Sequence, residues 1–171
     1  MNARTFDLSV PISHTPANYA CPFCDVMGGA NRGPLGTVQD DIVFRGDGVA
    51  VFVASKWWPN NPGHVLVIPE AHYENLYDIP SSLGTPLLAA TRLAALAMKS
   101  AYGCDGITTR QSNEPAGNQD VWHLHTHVYP RYDSDQLWRT SGAQTSAEQR
   151  APYAAKLRTA IDTLIRSGAV E

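Results

Sequence analysis

The chain predicts an α+β fold built on an antiparallel sheet, and three observations carry that expectation. Short strand-like runs bounded by turn residues fill the first half of the sequence. One Ala/Leu-rich stretch with helical periodicity follows them. Two more strand-like runs come after it, and the order hairpin, strand, long helix, strand, strand is that of an α+β domain.

Residues 1–20 carry Pro11 and Pro16 with little periodicity and read as an N-terminal arm. Cys21-Pro-Phe-Cys24 opens the folded part, and residues 28–36, with four glycines, Asn31 and Pro34, form a loop. Ile42–Phe44, the turn Arg45–Gly48 and Val49–Val53 make a β-hairpin. Lys56–Gly63 is a loop entering the strand His64–Ile68, which Pro69 ends. Leu87, Leu88, Thr91, Ala94, Ala95 and Met98 recur at helical spacing between Pro86 and Ala101, and Gly103 stops the run. Strands at 106–112 and 121–129 follow, joined by turn residues Asn113 to Gly117. Ala147–Arg166 is a C-terminal helix with Ser146 as its N-cap. There are no internal repeats.

At 171 residues the chain is expected to form one domain with a substantial core. A net charge of −3 and scattered Lys and Arg argue against a nucleic-acid-binding surface. No apolar run approaches the roughly 20 residues that span a bilayer. The first twenty residues lack the apolar centre of a signal peptide, so a cytoplasmic protein is expected. In a reducing compartment, Cys21 and Cys24 read as a metal or redox pair rather than a disulfide scaffold.

Half of the six histidines fall in one stretch, His123, His125 and His127, alternating with Leu124 and Thr126. On a strand, alternate side chains share a face at steps of roughly 6–7 Å. Imidazole is the group best suited to act as nucleophile, proton carrier or metal ligand near neutral pH. Cys21-x-x-Cys24 by itself fits structural thiols, a redox pair or half of a zinc site. The last needs two further ligands, for which His72 and the clustered histidines are candidates. His64 and His72, taken singly, read as surface or capped histidines, and Trp57, Trp58 and Trp122 as packing residues.

Asn61-Pro-Gly-His-Val-Leu-Val-Ile-Pro-Glu-Ala-His72 and the segment Gln111–Arg131 resemble the two signature segments of the histidine triad nucleotide hydrolases and transferases. The second has the His-φ-His-φ-His-φ-φ pattern, preceded by Gly117-Asn118-Gln119 and followed by Pro130-Arg131. Cys21-x-x-Cys24 is similar to the zinc-containing bacterial branch. The resemblance covers residues 21 to 131 and implies an α+β fold with a five-stranded antiparallel sheet, a long central helix and a C-terminal helix. Residues 21–135 would form the histidine triad domain and 136–171 a C-terminal helical extension.

By position, the resemblance makes His125 the nucleophile, with His127 and His64 lining the phosphate site. Gln119 would lie beside the α-phosphate and Leu66 at the base pocket. Cys21, Cys24, His72 and His123 would hold a structural Zn2+. It also implies a homodimer acting on nucleotide phosphoramidates or (di)nucleoside polyphosphates. A neutral imidazole can attack phosphorus, splitting one difficult hydrolysis into two steps. Three positions depart from the family pattern. Lys56 replaces an acceptor of ribose hydroxyl hydrogen bonds, a role lysine cannot fill. Asp120 replaces Ser or Thr near the phosphates, and Ser112 replaces Asn or Gln. These departures motivate a rival of another class, a nucleotide or phosphate-binding module without turnover. A third reading makes His123, His125 and His127 a catalytic zinc triad.

Overall fold

A computed structural model of the chain describes Asp7, residues 9–33 and residues 35–170. The remainder of the expected arm (1–6 and 8) and Pro34 of the expected loop lie outside the described residues. The strands are β1 (Ile42–Gly46), β2 (Val49–Val53), β3 (Lys56–Trp57), β4 (Val65–Pro69), β5 (Gly106–Gln111), β6 (Thr126–Arg131) and β7 (Ala143–Gln144). The helices are α1 (Pro22–Met27), α2 (Gly84–Tyr102) and α3 (Ala147–Arg166). Five strands form one antiparallel sheet in the order β1-β2-β4-β6-β5, as expected.

Asp47 and Gly48, at φ 52° and 75°, make the β1–β2 turn. Positive φ at both centres matches the right-handed twist of the flanking strands. The turn is tighter than the Arg45–Gly48 expectation, since Arg45 and Gly46 stay paired in β1.

Both faces of the central strands are covered, so every residue of β2 and β4 is buried. Val49, Val51, Val53, Val65, Val67 and Val128 pack with Ala90, Leu93, Ala94, Ala97 and Met98 of α2 and Ala154, Leu157, Ala160 and Ile161 of α3. Each larger aliphatic side chain buried there contributes about 1.5–3 kcal/mol. The alternate residues Ala50, Phe52, Leu66 and Ile68 face the other way, with Ala54, Cys21 and Phe23.

α2 buries most of the stripe its periodicity indicated, with Ala94 and Met98 in the core and Leu87 and Ala95 packed against it, but not all of it. Leu88 is 71% exposed, and Ala90 and Ala97 lie inside. Ala and Leu occur all round this helix, so its apolar stripe does not mark one face. Close helix–sheet contact selects the alanines. α3 starts as expected: Ser146 Oγ accepts from Gln149 N–H, and Gln149 Oε1 accepts from Ser146 N–H.

The segment after residue 135 is not a peripheral extension in packing terms. Its helix shares the main core. The fully buried Arg150 donates to both carboxylate oxygens of Asp41, each at 2.9 Å, just ahead of β1. Lys56 and Trp57, expected in a loop, pair with Ala143 and Gln144 in a second small sheet. The arm is tied down by Glu74, whose carboxylate accepts from Ser13 and Thr15 hydroxyls and from His14 N–H. Among the described residues, no helix is long and apolar enough to cross a membrane.

Candidate functional site

The strand expected at 121–129 begins only at Thr126. Ahead of it the backbone bonds elsewhere: Leu124 N–H donates to Tyr73 O at 2.6 Å and His123 N–H to Val121 O at 2.8 Å. His127 therefore stands on β6, while His125 and His123 occupy the bend that feeds it.

The bend separates the three imidazoles into two groups. His125 and His127 stay neighbours, with ring centroids 4.9 Å apart. His123 turns to His72 (centroids 5.1 Å) and to the cysteines. Phe23 of α1 sits between the groups, edge-on to His123 at 5.6 Å and to His125 at 5.5 Å. This geometry does not support a catalytic zinc held by all three histidines.

Sheet register fixes the rest of the cleft. A single row of directly paired residues crosses all five strands: Ile42, Phe52, Leu66, His127 and Arg110. Leu66 thus floors the cleft beside His127. His64, at the mouth of β4, stacks on Tyr129 (4.6 Å, 21°), and His127 stacks on the same ring (5.4 Å, 11°). His64 Nε2 and His127 Nδ1 are 3.4 Å apart. The end of β6 is locked by Asp135, which accepts from Arg131 (2.6 and 2.8 Å), Asn61 (2.7 Å) and the N–H groups of Tyr132 and Leu137. The segment that leads to His64 and the strand that carries His127 are thereby held together. The cleft of about 450 Å³ is lined by His64, His125, His127, Tyr129, Trp58 and Arg110, among others.

His125 is 2% exposed, and its Nδ1 lies 2.7 Å from the His123 carbonyl. A carbonyl only accepts, so Nδ1 carries the proton and Nε2 keeps its lone pair. Burial holds the His125 imidazole below its ordinary range, against the opposing effects of that hydrogen bond and of Asp120. Burial, and then the His125 charge, push His64 down to about 3. His127 is lowered by burial and then by its neighbours His125, His64 and Arg110. All three are neutral at pH 7.

Cys21, Cys24, His72 and His123 converge, with one ligand atom of each within 4.8 Å of the others. Cys21 Sγ is 3.4 Å from His123 Nδ1, and Cys24 Sγ is 3.3 Å from His72 Nδ1 and 3.6 Å from His123 Nδ1. Ligand bonds of 2.0–2.3 Å in a tetrahedron place donors about 3.3–3.8 Å apart, so these separations fit a four-coordinate ion. His123 Nε2 lies 2.9 Å from Pro69 O, so its proton is there and Nδ1 is free to ligate. Burial and the adjacent Cys21 thiol push the Cys24 thiol up to about 12. A bound cation would favour the ionised form of the Cys24 thiol.

The residues expected to bind substrate divide. Lys56, Leu66, Ser112 and Asp120 line the cleft with the histidines. Gln119 does not, because its side chain is spent on the backbone. Its Nε2 donates to Glu74 O at 2.6 Å and Val121 O at 3.1 Å, and its Oε1 accepts from Glu114 N–H at 2.8 Å. It shapes the loop that carries Asp120 and Val121. Lys56 and Asp120 form no ion pair within 4.0 Å among the described residues. The ammonium of Lys56 instead lies 6.0 Å from the Trp58 ring centroid. Sequence reasoning missed Trp58, Arg110 and Tyr129 as cleft residues. Tyr129 was findable from alternation along one strand, and Arg110 only through cross-strand register. Tyr129 follows His127 by two on β6, and Arg110 pairs with His127 across β5.

A family model described as HIT domain matches residues 36–134. An uncharacterised HIT-like protein of Saccharolobus solfataricus is 30% identical over 144 residues, covering 84% of this chain and 97% of that one. An AP-4-A phosphorylase of Mycobacterium tuberculosis is 30% identical over 129 residues, covering 73% of this chain and 62% of its own length. An adenosine 5'-monophosphoramidase of Saccharomyces cerevisiae is 35% identical over 75 residues, covering 44% of this chain and 45% of its own. Among solved structures, a Hit-like protein from Bartonella henselae involved in cell-cycle regulation has TM-score 0.64 and 38% identity, covering 70% of this chain and 85% of that one. A Zn-bound histidine triad family protein from Mycobacterium smegmatis has TM-score 0.69 and 24% identity, covering 86% of this chain and 97% of that one.

Proposed function

Because this chain belongs to the HIT domain family, we propose that it hydrolyses nucleotide phosphoramidates or (di)nucleoside polyphosphates through a nucleotidyl intermediate on His125. The observation that carries the reading is the tautomer of His125. Its Nδ1 proton is committed to the His123 carbonyl at 2.7 Å, which leaves Nε2 unprotonated in the cleft. Attack by Nε2 forms the N–P bond as the leaving group departs with its electron pair. Water then attacks the phosphorus, and the N–P pair returns to the imidazole. With His64 Nε2–H donating to His127 Nδ1, the one ring N–H of neutral His127 is on Nε2, where it can hold charge on a non-bridging oxygen. The two imidazoles cost no reorganisation there, because Tyr129 and each other fix their planes. The relatives named for AP-4-A phosphorolysis and for phosphoramidate cleavage support this substrate class.

Cys21, Cys24, His72 and His123 would hold a structural zinc. Such an ion contributes folding energy and ties the N-terminal segment to the bend before β6. The reading also includes a cytoplasmic location and a homodimer, and light scattering of the purified protein tests the second.

The test is incubation with adenosine phosphoramidate and diadenosine polyphosphates, with product chromatography and mass spectrometry for AMP bonded to His125. Absence of both products and adduct overturns the proposal. Binding of nucleotide without any turnover would establish the rival binding module, which Lys56 and Asp120 in the cleft favour.

A further inference from the structure

Arg110 lines the cleft beside the reacting imidazoles, yet none of the roles assigned so far uses it. It sits on β5 directly across from His127. Its guanidinium lies 5.7 Å from the ring centroid of Trp138, and its Nε donates to Ser112 Oγ at 3.3 Å. Among the described residues, no carboxylate lies within 4.0 Å of it. Of its five N–H donors, the single hydrogen bond to Ser112 uses one.

That combination is unusual for a half-buried cation. The fully buried Arg150, by contrast, meets a carboxylate and two backbone carbonyls. Arg110 instead has an aromatic wall that orients its plane, and its remaining donors are left for something that enters the cleft. The Trp138 ring, 53% exposed, leaves that side open. An oriented guanidinium with free paired donors matches the geometry of a tetrahedral oxyanion.

Resting on the nucleotidyl-transfer reading above, we infer that Arg110 is a specificity residue that binds an anionic leaving group. The preferred substrates are then nucleotides that carry a phosphate or sulfate beyond the α-phosphorus, rather than an amine. The chemistry separates the two classes. Nε2 of His125 supplies the pair for the new N–P bond. The P–O bond to the leaving group breaks with its pair on that oxygen, which departs as phosphate or sulfate. Such a group leaves as an anion at neutral pH, and its growing charge is what a guanidinium stabilises. An amine leaving group must instead take up a proton as it departs, and a permanently charged guanidinium supplies none. In the second half, water makes the new P–O bond, the imidazole recovers its pair and one proton passes to solvent.

The test uses the full chain with its metal complement. Values of kcat/KM for ADP and for adenosine 5'-phosphosulfate are each divided by that for adenosine 5'-phosphoramidate, in wild type, Arg110→Gln and Arg110→Lys. In Arg110→Gln both ratios should fall about tenfold or more, and Arg110→Lys, which keeps the charge, should restore part of the loss. An equal loss on all three substrates overturns the inference and leaves nucleotidyl transfer standing. If the wild type turns over none of them, the nucleotidyl-transfer reading fails on its own, and calorimetry decides the anion site. ADP or phosphosulfate binding about tenfold tighter than AMP, with the difference lost in Arg110→Gln, supports the site, and equal affinities overturn it.

Discussion

The two faces of the five-stranded sheet are buried by different means. The face under α2 and α3 is closed by Val, Ala, Leu, Ile and Met side chains whose only requirement is close packing. The opposite face has a smaller apolar patch, continued by imidazoles that burial holds neutral. The first face stores stability, and the second spends part of it on groups that would rather be solvated. A change on one face should therefore move folding, and a change on the other should move chemistry.

The largest expected effect tests the chemical face. His125→Asn should lower kcat by about 10³–10⁴-fold, roughly 4–6 kcal/mol, with its urea midpoint close to wild type. Near-normal turnover would remove His125 from its assigned role. The helical face gives the converse. Asp41→Ala strands the Arg150 guanidinium, which is fully buried, and should cost about 3–5 kcal/mol in urea denaturation. Activity per folded molecule should stay within about twofold; a selective loss of activity would break the division between faces.

The Cys/His cluster lies on the chemical face but is expected to behave like the other one. Chelation or Cys24→Ser should lower the melting temperature by about 4–8 °C, the effect of roughly 2 kcal/mol in a chain of this size. Elemental analysis should give one zinc per chain in untreated protein. Metal-free protein with an unchanged melting temperature would contradict a structural ion.

The smallest effect at any single step is one of pH. His64 is held down to about 3 in the folded chain, against about 6.5 when unfolded. Between those values the unfolded state binds the extra proton, so stability falls as pH drops below about 6.5. His64→Asn should remove up to about 1.4 kcal/mol per pH unit from that slope between roughly pH 6 and 4, measured by urea titrations. An unaltered slope would mean that His64 is charged in the native state.

The same division explains what the sequence revealed. Strand positions and the start and end of α3 were legible because valine alternation and the Ser146–Gln149 cap are local signals. The Cys21, Cys24, His72 and His123 set came from the family resemblance, since spacing alone left the histidine partners open, and the structure brings those residues together. What stayed hidden depends on distant partners. The bend at 121–125 exists because Tyr73 takes the Leu124 N–H. Gln119 is consumed by Glu74, which lies 45 residues earlier. The β3–β7 pairing and the place of Arg110 follow from registers that no short window of sequence contains.

Asp135 has a consequence for how such a protein diversifies. Its carboxylate, held well below the usual carboxylate range first by Arg131, accepts bonds that fasten Asn61 and the end of β6 to one point. The two signature segments are thus clamped behind the histidines and independently of the rim. Lys56, Arg110, Ser112 and Asp120 can then vary by single mutational steps without misaligning the imidazoles. Directed evolution toward new leaving groups should draw its successful substitutions from those four rim positions and leave Asp135, Asn61 and Arg131 untouched.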